Sequence, residues 1–356
     1  MARPPLGVRP DLAGLTPYVS PQMPARYRLN TNESPYPPPP EVVAEVFDAL
    51  RASELNRYPD KDANRLLSAL SRHLDWPEQG IWAANGSNEV FMHLLLAFGG
   101  PDRTALLFQP TYSLHGLIPR MTGTRVIEAP RGEDFEVDLG AAVALIQEHQ
   151  PEIVILCSPN NPTGNCEPLS TVERVLDEAP GIVVVDEAYI DFATGDDTVQ
   201  PLLEDYDNLV MVRTFSKAWR LAGVRLGYLV SAPPLLSDMA RVRLPYHLST
   251  ITQIFGEVVL RHQRATLDLV ADLTKERDRI SVGLQRMGVK CFPSKANFLM
   301  FQVDEPNEVW EALLERDVLV RNYAGVPGIQ NCLRVTAGMP DETDAFLEAM
   351  EEAIDA

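Results

Sequence analysis

Short stretches that are apolar at nearly every position recur through the first two thirds of the chain, and no other feature narrows the fold so far. They run Ile81 to Ala84, Thr104 to Phe108, Val126 to Ala129, Ile153 to Cys157, Ile182 to Val185, Leu209 to Val212 and Leu226 to Val230. A strand buried on one face alternates apolar with polar, whereas a strand covered on both faces reads as a continuous apolar run. Segments of helical spacing lie between them, such as the stretch ending at Phe98 and Leu139 to Gln150. The pattern predicts a largely parallel sheet with helices on both sides.

The flanks read differently. Residues 1–40 are irregular and end in Pro35-Tyr-Pro-Pro-Pro-Pro40, which favours an extended arm. Amphipathic helices are expected over Glu41 to Leu50 and Ala63 to Leu74, and a long helical region over Thr252 to Met287. A smaller unit follows, with strands Val289 to Phe292, Asn297 to Val303, Val318 to Arg321 and Leu333 to Thr336 and helices Glu308 to Arg316 and Asp341 to Ile354. The expected fold class is α/β: a three-layer large domain with a mainly parallel sheet, plus a smaller α+β domain. The expected division is an N-terminal arm with part of the small domain at 1–45, a large domain at 46–250, and an interdomain helix with the C-terminal small domain at 251–356.

Composition removes several function classes. The 356 residues carry 50 acidic against 31 basic side chains, a formal net charge of −19, which opposes binding to nucleic acid or an anionic membrane. The start, Met1-Ala-Arg-Pro-Pro-Leu-Gly7, has no apolar core of a signal peptide, and runs such as Leu94 to Phe98 are too short to cross a bilayer. A cytoplasmic protein is expected. The four cysteines, Cys157, Cys166, Cys291 and Cys332, have neither CxxC spacing nor histidines at ligand spacing, so neither a metal site nor a disulfide framework is expected.

Open α/β sheets bind ligands beyond the carboxyl ends of their strands, and four loops there carry chemistry. Lys217 follows the strand ending near Phe215, with Arg225 eight residues on. Partial burial and a neighbouring cation both lower a lysine's pKa and leave its amine ready for carbonyl chemistry; a lone lysine is otherwise a surface residue. Asp186 ends the apolar run 182–185, where a carboxylate needs a cationic partner. A protonated pyridine nitrogen fits that need, and so does a Mg²⁺ ion or a helix cap. In Asn85-Gly-Ser-Asn-Glu89 the amides of Ser87 and Asn88 open a helix and can hold a phosphate, or Ser87 simply caps it. Asn161, in the turn Pro159 to Gly164, can donate to a ring oxygen, and Tyr112 can stack on a flat cofactor or pack in the core.

Taken together, Ser216-Lys217 with Arg225, Asp186-Glu-Ala-Tyr189, Asn161-Pro-Thr-Gly164 and Gly86-Ser-Asn-Glu89 resemble the fold type I pyridoxal-phosphate aminotransferases. Leu29-Asn-Thr-Asn-Glu-Ser-Pro-Tyr-Pro37, Arg57-Tyr-Pro-Asp60, Cys157 to Gly164, Ser294-Lys-Ala-Asn-Phe298 and Asn331 to Gly338 look like blocks of the histidinol-phosphate branch, in matching order from about Leu15 onward.

The resemblance implies a cofactor, pyridoxal 5'-phosphate, anchored by Lys217, which later shuttles the proton. It implies Asp186 against the pyridine nitrogen, Asn161 and Tyr189 at the ring oxygen, and Tyr112 on the ring face. The cofactor phosphate falls to Ser87, Asn88, Ser216 and Arg225, with Tyr58 arriving from the other subunit of a homodimer. Arg334, Arg321, Tyr18 and Asn32 fall to the substrate, Arg334 because a guanidinium fork fits planar oxyanions. The implied reaction is L-histidinol phosphate plus 2-oxoglutarate to imidazole acetol phosphate plus glutamate, in histidine biosynthesis. The sequence departs from the branch at Asn88, Ser34, the prolines 37–40 and Asn322 to Val326.

An aromatic-amino-acid aminotransferase or a phospho-amino-acid decarboxylase of the same fold shares these motifs. A regulator built on an aminotransferase-like body needs a DNA-binding module, and the Pro-rich residues before Glu41 are too few and too irregular to form one.

Overall fold

A computed structural model describes residues 7–18 and 22–355. After a two-residue strand, β1 (Tyr27–Arg28), the chain builds seven strands of one sheet: β2 (Ile81–Ala84), β3 (Thr104–Gln109), β4 (Arg125–Pro130), β5 (Ile153–Cys157), β6 (Ile182–Asp186), β7 (Leu209–Thr214) and β8 (Gly227–Val230). Their spatial order is β2-β8-β7-β6-β5-β3-β4, and only β8 runs against the rest. The apolar runs are continuous because both faces are covered. Leu106, Val154, Val183 and Leu209 pack into one core, while their neighbours Leu107, Ile153, Val184 and Val210 pack into another.

The C-terminal part forms an antiparallel sheet from β9 (Lys290–Cys291), β10 (Phe298–Gln302), β12 (Arg321–Asn322) and β13 (Cys332–Thr336), in the order β12-β13-β10-β9. Its core joins Phe301, Leu333 and Val335 to Ile280, Leu284 and Phe346 of the helices Val270–Arg286 and Pro340–Asp355. Between them β11 (Val318–Leu319) pairs in parallel with β1, so the N-terminal segment is stitched to this unit. Leu29 continues the stitch, donating to the Leu319 carbonyl and accepting from the Thr336 amide.

Several elements differ from the sequence reading. The long helical region is three helices, Thr250–Arg261, Gln263–Leu267 and Val270–Arg286. No glycine or proline marks the first break; His262 leaves helical geometry with its Nε2 2.6 Å from Glu45 Oε2 on the helix Pro40–Arg51. The strand expected over Val318 to Arg321 is two, because the chain changes partner from β1 to β13. Ser113–Met121 is a helix that the sequence hid, since Gly116 and Pro119 lie inside it. Leu169–Glu178 is another helix the sequence reading did not identify.

Candidate active site

The reversed direction of β8 creates the site. Strands β2, β5, β6 and β7 end at one edge of the sheet, and β8, running the other way, begins there. Arg225, just before β8, therefore meets the loops after β2 and β7 at a cavity of about 1260 Å³. Ser87, Asn88, Tyr112, Asn161, Asp186, Tyr189, Ser216, Lys217 and Arg225 all line it, as do Tyr18, Asn32, Arg321 and Arg334.

Lys217 lies on the cavity floor, and its Nζ donates to the Thr31 carbonyl at 2.9 Å. Its pKa is lowered to about 8, first by burial and then by the nearby Arg334 guanidinium; Arg225 adds to this while Glu33 and Asp186 oppose it. An amine in that range is partly uncharged near neutral pH and can attack a carbonyl carbon.

Asp186 is 3% exposed and held from two sides. Its Oδ1 accepts from the Ala188 amide at 3.0 Å, and its Oδ2 lies 2.9 Å from Nε2 of His115, which is 1% exposed. Cys157, opposite Asp186 in the β5–β6 ladder, brings its Sγ within 4.8 Å of the ligand atoms of both. Burial raises that thiol well above its ordinary pKa. The site is a carboxylate backed by an imidazole.

Tyr189 joins three parts of the chain. Its hydroxyl accepts from Asn32 Nδ2 at 2.9 Å and from Asn161 Nδ2 at 3.3 Å, and burial raises its pKa. Asn32 bonds onward to Thr336, accepting from the Thr336 hydroxyl at 3.1 Å. Arg334 closes the circuit: Nη1 donates to Asn161 Oδ1 at 2.5 Å and to the Tyr323 hydroxyl at 2.9 Å, and Nη2 donates to the Asn30 carbonyl at 2.7 Å. Its Nε is buried with no hydrogen-bond partner among the described residues. A buried guanidinium with a donor left open suits an anionic group.

The Ser87–Phe98 helix starts after Gly86 at φ +85°, and no side chain caps it. A twelve-residue helix presenting open amides and the positive end of its dipole is an anion site. Ser216 Oγ and Arg225 Nη1, 3.4 Å apart, stand beside it. Two glycines make room. A Cβ on Gly86 would lie 2.6 Å from Arg225 Nη2, and one on Gly227 would lie 2.4 Å from the Ser87 amide nitrogen. Asn88 Oδ1 accepts from the Tyr112 hydroxyl at 3.4 Å, which leaves its backbone amide for the anion. The lysine, the backed carboxylate and the anion cradle together fit an aromatic aldehyde that carries a ring nitrogen and a phosphate.

Arg321 faces Arg334 across the β12–β13 ladder, one residue directly opposite the other. Tyr18 is about half exposed and meets Tyr112 edge-on at 6.5 Å. Tyr58 is the one expected residue outside the cavity: it is 80% exposed and stacks on Tyr246 at 4.5 Å. Sequence reasoning missed His115, Tyr323 and the Asn30 and Thr31 carbonyls. Only the spacing of Tyr323 from Arg321 could have signalled a shared pocket. Backbone acceptors leave no mark on a sequence.

A family model described as "Aminotransferase class I and II" matches residues 26–350. The histidinol-phosphate aminotransferase of Corynebacterium efficiens is 44% identical over 356 residues, covering 98% of this chain and 95% of that protein. That of Thermobifida fusca is 46% identical over 351 residues, covering 97% and 95%. The crystal structure of histidinol-phosphate aminotransferase from Sinorhizobium meliloti in complex with pyridoxal-5'-phosphate superposes with a TM-score of 0.90 at 24% identity, covering 98% of this chain and 97% of that one.

Proposed function

The chain belongs to the class I and II aminotransferases, and on that premise we propose that it transfers the amino group of L-histidinol phosphate to 2-oxoglutarate, giving imidazole acetol phosphate and glutamate, with pyridoxal 5'-phosphate as cofactor. Relatives bearing that name and 44% to 46% identical over nearly the whole chain support the substrate. The observation that carries the chemistry is the meeting, in one cavity, of the Lys217 amine, the Asp186–His115 couple and the uncapped helix start at Ser87.

When bound, the cofactor supplies an electron-withdrawing ring. The residues do the rest. Lys217 Nζ would hold the cofactor through its aldehyde carbon and, once the substrate amine has displaced it, would be the base that takes the proton from the substrate carbon bearing that amine. Asp186, oriented by His115, accepts the hydrogen of the ring nitrogen and keeps that nitrogen charged. Tyr189 and Asn161 donate to the ring oxygen, and Tyr112 covers the ring face. Ser87 and Asn88 amides, Ser216 and Arg225 bind the cofactor phosphate. Arg334 and Arg321 bind the substrate anion, with Asn32 beside them and Tyr18 closing over it from the arm.

We also infer a homodimer in which Tyr58 reaches the cofactor phosphate of the partner; its exposure and its place beside Tyr246 support this. The inferred domain division is the arm at 1–45, the cofactor-binding body at 46–250 and the C-terminal body at 251–356. No helix among the described residues is long and apolar enough to cross a membrane. A cytoplasmic location is supported by the four unpaired cysteines.

The test is a transamination assay that compares L-histidinol phosphate with phenylalanine, each with 2-oxoglutarate. A large preference for histidinol phosphate is expected. Preference for phenylalanine would make the enzyme an aromatic-amino-acid aminotransferase, and carbon dioxide release from a phosphorylated amino acid would make it a decarboxylase.

A further inference from the structure

Residues 243–248 form a strap across the outer side of β2 that takes no part in the chemistry above. β2 is an edge strand, so no further strand is available to pair with it on that side. His247 takes that place: its Nε2 lies 3.0 Å from the Ala83 carbonyl. A carbonyl only accepts, so Nε2 carries the ring hydrogen, and Nδ1 is left buried without a hydrogen-bond partner among the described residues. The backbone of His247 grips the same turn from the other side, its carbonyl accepting from Asn85 Nδ2 at 3.0 Å. Glu89 Oε2 completes the hold on Asn85, accepting from its amide at 2.6 Å and its Nδ2 at 2.8 Å.

The two His247 bonds bracket Ala84, immediately ahead of Gly86 and the uncapped amides of Ser87 and Asn88. The strap is itself anchored. Arg243 pairs with Asp62 at 2.5 Å and lies over Trp82 at 5.4 Å, and the His247 ring packs beside Trp82 and His93. We infer that His247 is a positioning residue for the phosphate cradle: through Ala83 and Asn85 it sets the direction in which the Ser87 and Asn88 amides point. The inference rests on reading that helix start as the site of the cofactor phosphate.

Equilibrium dialysis of the full-length, cofactor-stripped protein against pyridoxal 5'-phosphate and, separately, pyridoxal tests it. Pyridoxal reacts with the same lysine but brings no phosphate. His247→Ala is expected to weaken pyridoxal phosphate binding about tenfold, in keeping with one lost orienting hydrogen bond, and to leave pyridoxal binding unchanged. His247→Gln, whose amide can still donate toward Ala83, is expected to recover most of the loss. An unchanged dissociation constant, or equal losses for both ligands, overturns the inference. Should His247→Ala fail to fold, Asn85→Ala removes the other half of the grip and is judged by the same two criteria. Arg225→Ala separates the two levels: if the wild-type protein shows no preference for pyridoxal phosphate and Arg225→Ala changes nothing, the phosphate reading itself fails and takes the inference with it.

Discussion

Lys217 Nζ and the Thr31 carbonyl, 2.9 Å apart, join the strand end that carries the reactive amine to the N-terminal segment that roofs it. The contact keeps the amine inside, where burial and Arg334 hold its pKa near 8 against an ordinary 10.5. The rate of cofactor uptake by the stripped protein should therefore rise with pH through an inflection near 8. Between about 8 and 10.5 the unfolded chain binds the extra proton and the folded one does not, so stability of the stripped protein should also increase with pH across that window. Uptake that inflects near 10.5 would show that the lysine is not shielded. Lys217→Ala should abolish turnover, and borohydride reduction of the wild-type protein should fix the cofactor to this residue alone.

His115 stands behind Asp186 at 2.9 Å. Asp186→Ala should fold, bind cofactor and lose activity by several orders of magnitude, because nothing else in the pocket keeps the ring nitrogen charged. His115→Phe leaves the carboxylate held only by the Ala188 amide, and a fall in kcat of about tenfold with little change in KM is expected. Steady-state kinetics on the two variants decide it; near-wild-type turnover in Asp186→Ala removes the electron-sink role.

Much of this was legible before any coordinates. The continuous apolar runs specify a sheet buried on both faces, and the runs ending at Ala84, Phe108, Cys157, Val185 and Val212 are each followed by a loop that lines the candidate site. His115 was not legible. It sits inside a helix that Gly116 and Pro119 disguise, and only the packing of that helix against β3, β4 and the Ser87–Phe98 helix brings its imidazole to Asp186. The break at His262 was hidden for a similar reason, since its side chain meets Glu45, far away in the sequence. Arg321 and Arg334 were each assigned to the substrate by the resemblance, but their direct opposition depends on a register that no single strand encodes.

That opposition bears on substrate choice. Removing one charge-assisted contact costs about 1.5 to 3 kcal/mol, so Arg321→Ala should lower kcat/KM for histidinol phosphate by about one to two decades. Unphosphorylated histidinol should suffer less. Equal losses for the two amines would mean that Arg321 does not read the phosphate.

Tyr58 tests the subunit arrangement. Sedimentation should give a dimer, and mixing Lys217→Ala protomers with an impaired Tyr58 variant should restore activity, since each mixed pair can contain one intact site. A fully active monomer would rule out the shared site.

The reversed strand β8 also governs the order in which the protein can come into being. β2 pairs with β8 alone, so residues 81–84 leave the ribosome long before their only neighbour is synthesised. The Ser87 helix start and Arg225 cannot face each other until that strand has been inserted, and Arg334 reaches Asn30 only when the chain is nearly complete. A nascent chain therefore passes through a period in which Lys217 and Asp186 already exist but the contacts that bring Ser87 to Arg225 and Arg334 to Asn30 do not. Contacts between such distant parts of a chain form late and slowly, so cofactor binding is expected to follow closure of the sheet.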